Sequence, residues 1–368
     1  MDHNFQDLLK RYNEGNVSEE EREQVERWYL AVGEKPKSIH QDILQDHYTQ
    51  GREEIKQLYK VRKLTPVWKQ IAAAAAVLTL IVGVYLMRTT TQDAQQQLVS
   101  LDSILPGEET AVLRTDNGQE VDLKAMLVGA RLNKGGMEII KLATGGIQIR
   151  QLENGGESVE PSVIKTPKGG EFEVTLPDGS LVKLNADSEL KLLAGYNKNE
   201  RNVDLLGEAF FDVQKSSKPF VVGTAKQKVT VLGTQFNIKA YPIESETTTK
   251  LLRGSVKVSN KETGKEIMMK PGDQVVNKGN ELLLTSRETQ QVDWVNKEFV
   301  FNEKPAEELM NDIGRWYNLE VEFEREDLKE KRFTGSIPRY STFTKVIAVL
   351  EATDVLSFKI EGRKIIIK

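Results

Sequence analysis

Apolar positions along the chain follow a helical stripe, then an uninterrupted run, then short alternations, then a closing mixture of both periods. Near the start, Ser18 followed by Glu21 forms a capping box, and Val25, Trp28, Tyr29 and Val32 recur at i, i+3, i+4 and i+7, which predicts an amphipathic helix. A shorter helix over about Asn4 to Tyr12 stops at Glu14-Gly15-Asn16. A third runs from about Lys37 or Ser38 to Leu64, carries Ile39, Ile43, Leu44, Ile55, Leu58 and Tyr59, and ends before Pro66. Three helices in roughly 65 residues make a thin core. The stripe therefore serves either as packing between helices or as a surface that a partner completes.

From Ile71 to Met87 the chain reads IAAAAAVLTLIVGVYLM without a charge, with Leu80 at its middle and Trp68 on its near side. Seventeen residues at the helical rise span roughly 25 Å, and Trp68 with snorkelling Lys69 and Arg88 extends this towards ~30 Å. A single transmembrane helix is expected. A cleaved signal peptide does not fit, because the charged, patterned module precedes the run. Arg52, Lys56, Lys60, Arg62, Lys63 and Lys69 crowd the near side, whereas after Arg88 no Lys or Arg comes until Arg114. The N-terminus is thus expected in the cytoplasm and the larger part in the periplasm, the chain being anchored in the inner membrane.

Residues 89–106 are polar and aperiodic and read as a linker. Beyond them, short alternating runs separated by Gly-containing turns predict strands. NGQEVDLKA from Asn117 and DGSLVKLNA from Asp178 resemble each other, each placing an Asn-Gly or Asp-Gly turn before a strand. Repeated hairpins, stacked as a β-sheet or solenoid-like coil, are the expectation. Further strands are predicted over about 171–176, 202–206, 209–214, 220–222, 228–232, 236–240, 248–252 and 255–259. In the tail, a strand over Glu298 to Phe301 leads to Pro305 and a stripe of Ala306, Leu309, Met310, Ile313 and Tyr317. Strands over 319–323 and 332–337, a helix over 343–352 and a hairpin over 356–367 complete a β-α-β-β-α-β-β order. The predicted fold class is multidomain: an all-α module (1–66), a transmembrane helix (67–88), a linker (89–106), a β-rich domain (107–290) and an α+β domain (291–368).

Charge decides one rival. Residues 1–60 hold 9 Lys or Arg against 13 Asp or Glu, which opposes a phosphate-binding face and so a DNA-binding role for the helical module. Cysteine is absent, excluding disulfides and thiolate ligands. The three histidines, His3, His40 and His47, all precede the apolar run, so imidazole chemistry is unavailable to the larger part. No phosphate-loop, dinucleotide, zinc-protease or calcium-loop pattern occurs, and neither a cofactor nor a metal is predicted. Glu208 and Asp212 share a strand face in the manner of a glycosidase pair, though surface acids on strands are commoner. Arg315-Trp316-Tyr317 looks like a nucleic-acid patch only in isolation, since Tyr317 belongs to the helical stripe. The expectation is a protein without enzymatic activity.

Several blocks then carry a family likeness. TPKGGEFEVTLPDGSLVKLNADSEL (Thr166 to Leu190), RNVDLLGEAFFDV (Arg201 to Val213), PFVV (Pro219 to Val222), VTVLGTQFNIKAY (Val229 to Tyr241) and LLRGSVKV (Leu251 to Val258) resemble, in order, the FecR family of transmembrane anti-sigma factors. The resemblance covers about residues 100 to 275. Its motif positions are Pro177, Asp178, Gly179, Asn185, Gly207, Glu208, Gly233, Thr234, Phe236 and Gly254. The tail from Asp293 is similar to the domain that follows FecR in Bacteroidetes regulators, with the layout of the short N-terminal domain of secretins and TonB-dependent receptors. Tyr12 to Leu30 resembles the sigma-binding segment, while LLAGYNKN (Leu192 to Asn199) departs where such proteins often carry a proline-aromatic pair. The resemblance implies an extracytoplasmic-function (ECF) sigma factor held through Val25, Trp28, Tyr29 and Val32, and the signalling domain of a SusC-type TonB-dependent transporter as the outer partner, with release often by regulated proteolysis. A direct binding module for a ligand such as a glycan is the alternative, weakened by the lack of any Trp between 107 and 275.

Overall fold

The structure is a computed structural model that describes residues 3–33, 101–115, 118–134, 136–152, 162–286 and 291–368. It divides into two units, residues 1–90 and 91–368. In the first, helices α1 (His3–Asn13) and α2 (Glu19–Gly33) follow the predicted pattern. The backbone N–H of Glu21 donates to Ser18 Oγ at 3.3 Å and that of Ser18 to Glu21 Oε2 at 3.0 Å, so the capping box is formed. Arg11 of α1 donates to Glu21 at 3.0 Å, and Leu8 and Val25 are buried. The third predicted helix lies outside the described residues.

The expected fold class needs correction on two points. First, no helix among the described residues is long and apolar enough to cross a membrane. Those present have 9 to 15 residues, against about 20 for a span, and the described fold is mostly β. The predicted transmembrane segment with Trp68, Ile71, Leu80 and Met87 lies outside the described residues.

Second, the β-rich domain is not a stack of repeated hairpins. It is two layers sharing one strand. Arg201–Asp212 pairs through Arg201 to Asp204 with Phe220–Gly223 and through Val203 to Leu206 with Ser188–Leu192. Through Gly207 to Asp212 it pairs instead with Gln235–Ala240, and through Ala209 to Asp212 with Leu181–Leu184. From this shared strand each layer extends in both directions by mostly antiparallel ladders. A solenoid needs parallel ladders between successive coils, and these are the minority here. The two similar runs are not equivalent: Glu120–Asp122 edges one layer, and Leu181–Leu184 lies inside the other. Their likeness is a turn preference, which repeats without a repeated fold.

The inward faces of the layers share one apolar core that includes Leu113, Ile139, Val182, Leu205, Phe211, Phe236 and Val258. Phe211 stacks on Phe236 at 4.9 Å between centroids. Towards one end the interior turns polar, and the buried groups pair: Gln227 Nε2 donates to Thr249 Oγ1 at 2.7 Å, and Asn260 Nδ2 to Asn277 Oδ1 at 2.8 Å.

The C-terminal domain has the expected order. Glu298–Pro305 leads into α3 (Ala306–Tyr317), followed by Glu320–Phe323, Arg332–Pro338, α4 (Phe343–Glu351) and the hairpin Phe358–Glu361 with Lys364–Ile367. Leu309, Met310, Ile313, Trp316 and Tyr317 of α3 share one core with Phe343, Val346, Ile347 and Leu350 of α4, and the Tyr317 and Phe343 ring centroids lie 5.2 Å apart. Each such side chain contributes roughly 1.5–3 kcal/mol. Two residues from earlier in the chain, Ile104 and Ala186, enter the same core.

Candidate functional site

A chain of buried polar residues lies where the β-layered and C-terminal domains meet. Asn185 follows the strand Leu181–Leu184, Glu208 comes one residue after the point where the shared strand changes layer, and Asn237 lies on the next strand. All three are buried. The Glu208 carboxylate accepts from Asn185 Nδ2 at 2.7 Å and from Asn237 Nδ2 at 2.9 Å. Asn237 Oδ1 in turn accepts from Trp294 Nε1 at 3.1 Å. On the other side, Arg339 Nη2 donates to Asn185 Oδ1. The Arg339 guanidinium lies 3.8 Å from the Trp316 ring centroid, and Trp316 Nε1 donates to the Arg339 carbonyl at 2.8 Å. A continuous polar chain thus runs from Trp294 through Glu208 to Trp316. Burial lowers the Arg339 pKa, and the carboxylates of Glu171 and Glu208 oppose that only in part.

A second cluster joins the polar face of α3 to the strand Gln235–Ala240 and the turn after it. Asp312 meets Lys239 at 3.0 Å, Lys304 at 2.5 Å and Arg315 at 2.5 Å. Glu244 meets Arg315 at 2.8 Å and Lys239 at 3.3 Å. Arg315 also lies 3.8 Å from the Tyr241 ring centroid. Burial pushes the Asp312 carboxyl up, but the three cations outweigh it and hold it well below the usual range. For Glu244 burial prevails over Lys239 and Arg315, and its carboxyl is raised. Backbone contacts close the join: the N–H of Gly169 donates to the Arg315 carbonyl at 2.7 Å. A cavity of about 820 Å³ lies between the domains, lined among others by Glu208, Gln274, Trp294, Arg315 and Arg339.

The predicted residues fall in several places. Val25 is fully buried on α2, which also carries Trp28, Tyr29 and Val32. Pro177, Asp178 and Gly179 form the hairpin turn before Leu181–Leu184, where Asp178 pairs with Arg201 at 2.8 Å and accepts from Tyr196 Oη at 2.9 Å. Gly233 packs against Lys215, and Thr234 Oγ1 donates to the Ser255 carbonyl at 3.0 Å beside Gly254. Phe236 is in the core, and Asn185 and Glu208 are in the interdomain chain. Asp212 bonds to Gln235 and Arg253, so Glu208 and Asp212 are engaged by separate partners. Trp316 and Tyr317 are fully buried, which removes Arg315-Trp316-Tyr317 as a nucleic-acid patch. Arg339, Trp294 and Asp312 had no marker in the sequence, because their importance lies in contacts with residues far away in the chain.

Residues 162–257 match the family model described as FecR protein, and residues 298–367 that described as FecR, C-terminal. Two crystal structures from Parabacteroides distasonis, each provisionally described as an anti-sigma factor, are similar to this chain. One is 28% identical with a TM-score of 0.52, covering 56% of this chain and 98% of that one. The other is 27% identical with the same score and coverage. Comparison with curated proteins finds no match.

Proposed function

The chain belongs to the FecR family, and from that premise we propose that it regulates a sigma factor as an anti-sigma protein. The observation that carries the reading is the 28% identity to a chain described as an anti-sigma factor, extending over 98% of that chain. In finer detail, the proposal is that the N-terminal module binds an ECF sigma factor. The β-layered and C-terminal domains would receive the signalling domain of an outer-membrane TonB-dependent transporter of the SusC type. The module would lie in the cytoplasm and the larger unit in the periplasm, a placement supported by the charge asymmetry of the sequence.

Two features support a receiving role for the larger unit. The strand Phe358–Glu361 pairs among the described residues only with Lys364–Ile367, leaving its other edge able to accept a strand from a partner. The C-terminal domain is also joined to the β layers by the charged cluster and polar chain described above, so a partner seated on one bears on both. Co-expression of the full chain with the ECF sigma factors of its source genome tests the reading. A stable complex with one of them is expected, and purification of every one as a separate species would refute it.

A further inference from the structure

The cavity between the two domains is a groove with unlike walls. Successive residues of a strand point to opposite faces, yet Glu298, Phe299 and Val300 of the strand Glu298–Pro305 all border it. The edge of that strand, rather than one face, therefore looks into the groove. The edge is open: among the described residues the strand pairs with Arg332–Pro338 alone, and the outward main-chain groups of residues 299–302 have no backbone partner. Of the partner strand only Arg332 borders the groove. The opposite wall is a sheet face. Glu246, Thr248 and Lys250 come from every second position of one strand, and Gln274 and Val276 from its neighbour, with Thr248 opposite Val276 and Lys250 opposite Gln274.

The charged side chains around the open edge are unequally engaged. Lys239, Lys304 and Arg315 are held by Asp312, and Arg332 donates to the Glu303 carbonyl at 2.6 Å. Asp293 and Glu298, by contrast, form no ion pair among the described residues, and Glu298 is exposed. Burial raises the Asp293 carboxyl, and the nearby Lys250 and Lys304 oppose that only in part, so a further cation there is favourable. Val276 and Val300, both partly exposed, add apolar surface to the lining.

We propose that the groove binds an extended peptide segment, which adds as a strand to the edge Glu298 to Phe301 and brings a basic side chain to Glu298 and Asp293. An open strand edge requires main-chain N–H and C=O groups repeating at about 3.3 Å per residue, which an extended peptide supplies and a small molecule does not. The register shift after Phe301 ends the regular edge and limits the added strand to about four to six residues. Alternating apolar and basic residues match a lining that offers Val276 and Val300 together with the two acids. The site is separate from the edge Phe358–Glu361, and the inference does not depend on the sigma-regulator reading.

The test is calorimetric titration of the full chain with the hexapeptide Val-Lys-Val-Lys-Val-Lys, acetylated and amidated at its ends. Its Val-Glu counterpart and the same Val-Lys peptide N-methylated at every residue are titrated in parallel. Saturable binding of the Val-Lys peptide is expected below millimolar concentration. The Val-Glu peptide should bind about 10-fold more weakly, and the methylated one, which cannot donate to a strand edge, should not bind. Deuterium exchange should slow at residues 299–302 when the Val-Lys peptide is bound. Glu298→Lys, at an exposed position, should weaken its binding by about 3- to 10-fold, as for an ion pair replaced by a like charge. Absence of Val-Lys binding, equal binding of either control peptide, unchanged affinity in Glu298→Lys, or protection confined to the other open edges at 281–286 and 358–361 would each overturn the proposal. Sigma-factor binding is read in a separate assay, so failure of one leaves the other standing.

Discussion

Gly207 marks the residue at which one strand passes from the first layer to the second. Its φ is +88°, and a Cβ there would fall 2.4 Å from Ser188 Oγ and 2.7 Å from Ser188 Cα. Both the left-handed backbone and the space exclude a side chain. Gly207→Ala is expected to lower stability by about 1–3 kcal/mol, read from the urea midpoint at unchanged slope. Asp312 gives a prediction in pH. Its folded-state carboxyl lies below the unfolded value, so its stabilisation is present above the ordinary carboxylate range and is lost as pH falls through the depressed folded value. Glu244 has the opposite sign: its raised carboxyl contributes fully at low pH and loses that contribution as pH rises through the raised value. Asp312 therefore contributes to the acid limb below about pH 4. In urea midpoints measured against pH, Asp312→Asn should be less stable than the wild type at neutral pH and show a shallower acid limb. Parallel curves would contradict the assignment.

Among the elements, α3 belongs to both sides of the join: its apolar face lies in the C-terminal core, and Asp312 and Arg315 meet the β layers. Its Trp316 ring also covers Gly107, where a Cβ would come within 2.5 Å of the ring. Gly107→Ala should cost about 1–3 kcal/mol through overpacking, with a lowered melting temperature as the readout. No change would mean that the ring is free to move. Much of α3 was legible in the sequence, because Pro305 and the stripe Leu309, Met310, Ile313 and Tyr317 are local signals. The capping box at Ser18 and the hairpin at Asp178-Gly179 were legible for the same reason. The layer change of Arg201–Asp212 was not, since a strand that alternates polarity looks the same whichever neighbours it pairs with. The similar runs from Asn117 and Asp178 misled because turn chemistry repeats where topology does not. The contact of Arg339 with Asn185, 154 residues away, is written only in the folded chain, and so is the cavity beside it.

Across residues 91–368, the β layers and the C-terminal domain share Ile104 and Ala186, the polar chain through Glu208 and the charge cluster around Asp312. Parts joined in this way are expected to unfold together. Calorimetry should show one transition for this unit, with Asp312→Asn and Gly107→Ala lowering it as a whole; a separate early transition of residues 291–368 would show that the join is weak. Such coupling suits the receiving role proposed for this unit. In the first unit, Val25 is fully buried, so a charge there should disorder α2 together with Trp28, Tyr29 and Val32. The central claim, that this FecR-family chain regulates a sigma factor, is tested most directly by equilibrium titration of the purified full chain with the sigma factors of its source genome. The account predicts saturable binding that Val25→Asp abolishes. Absence of binding by the wild-type chain would contradict it.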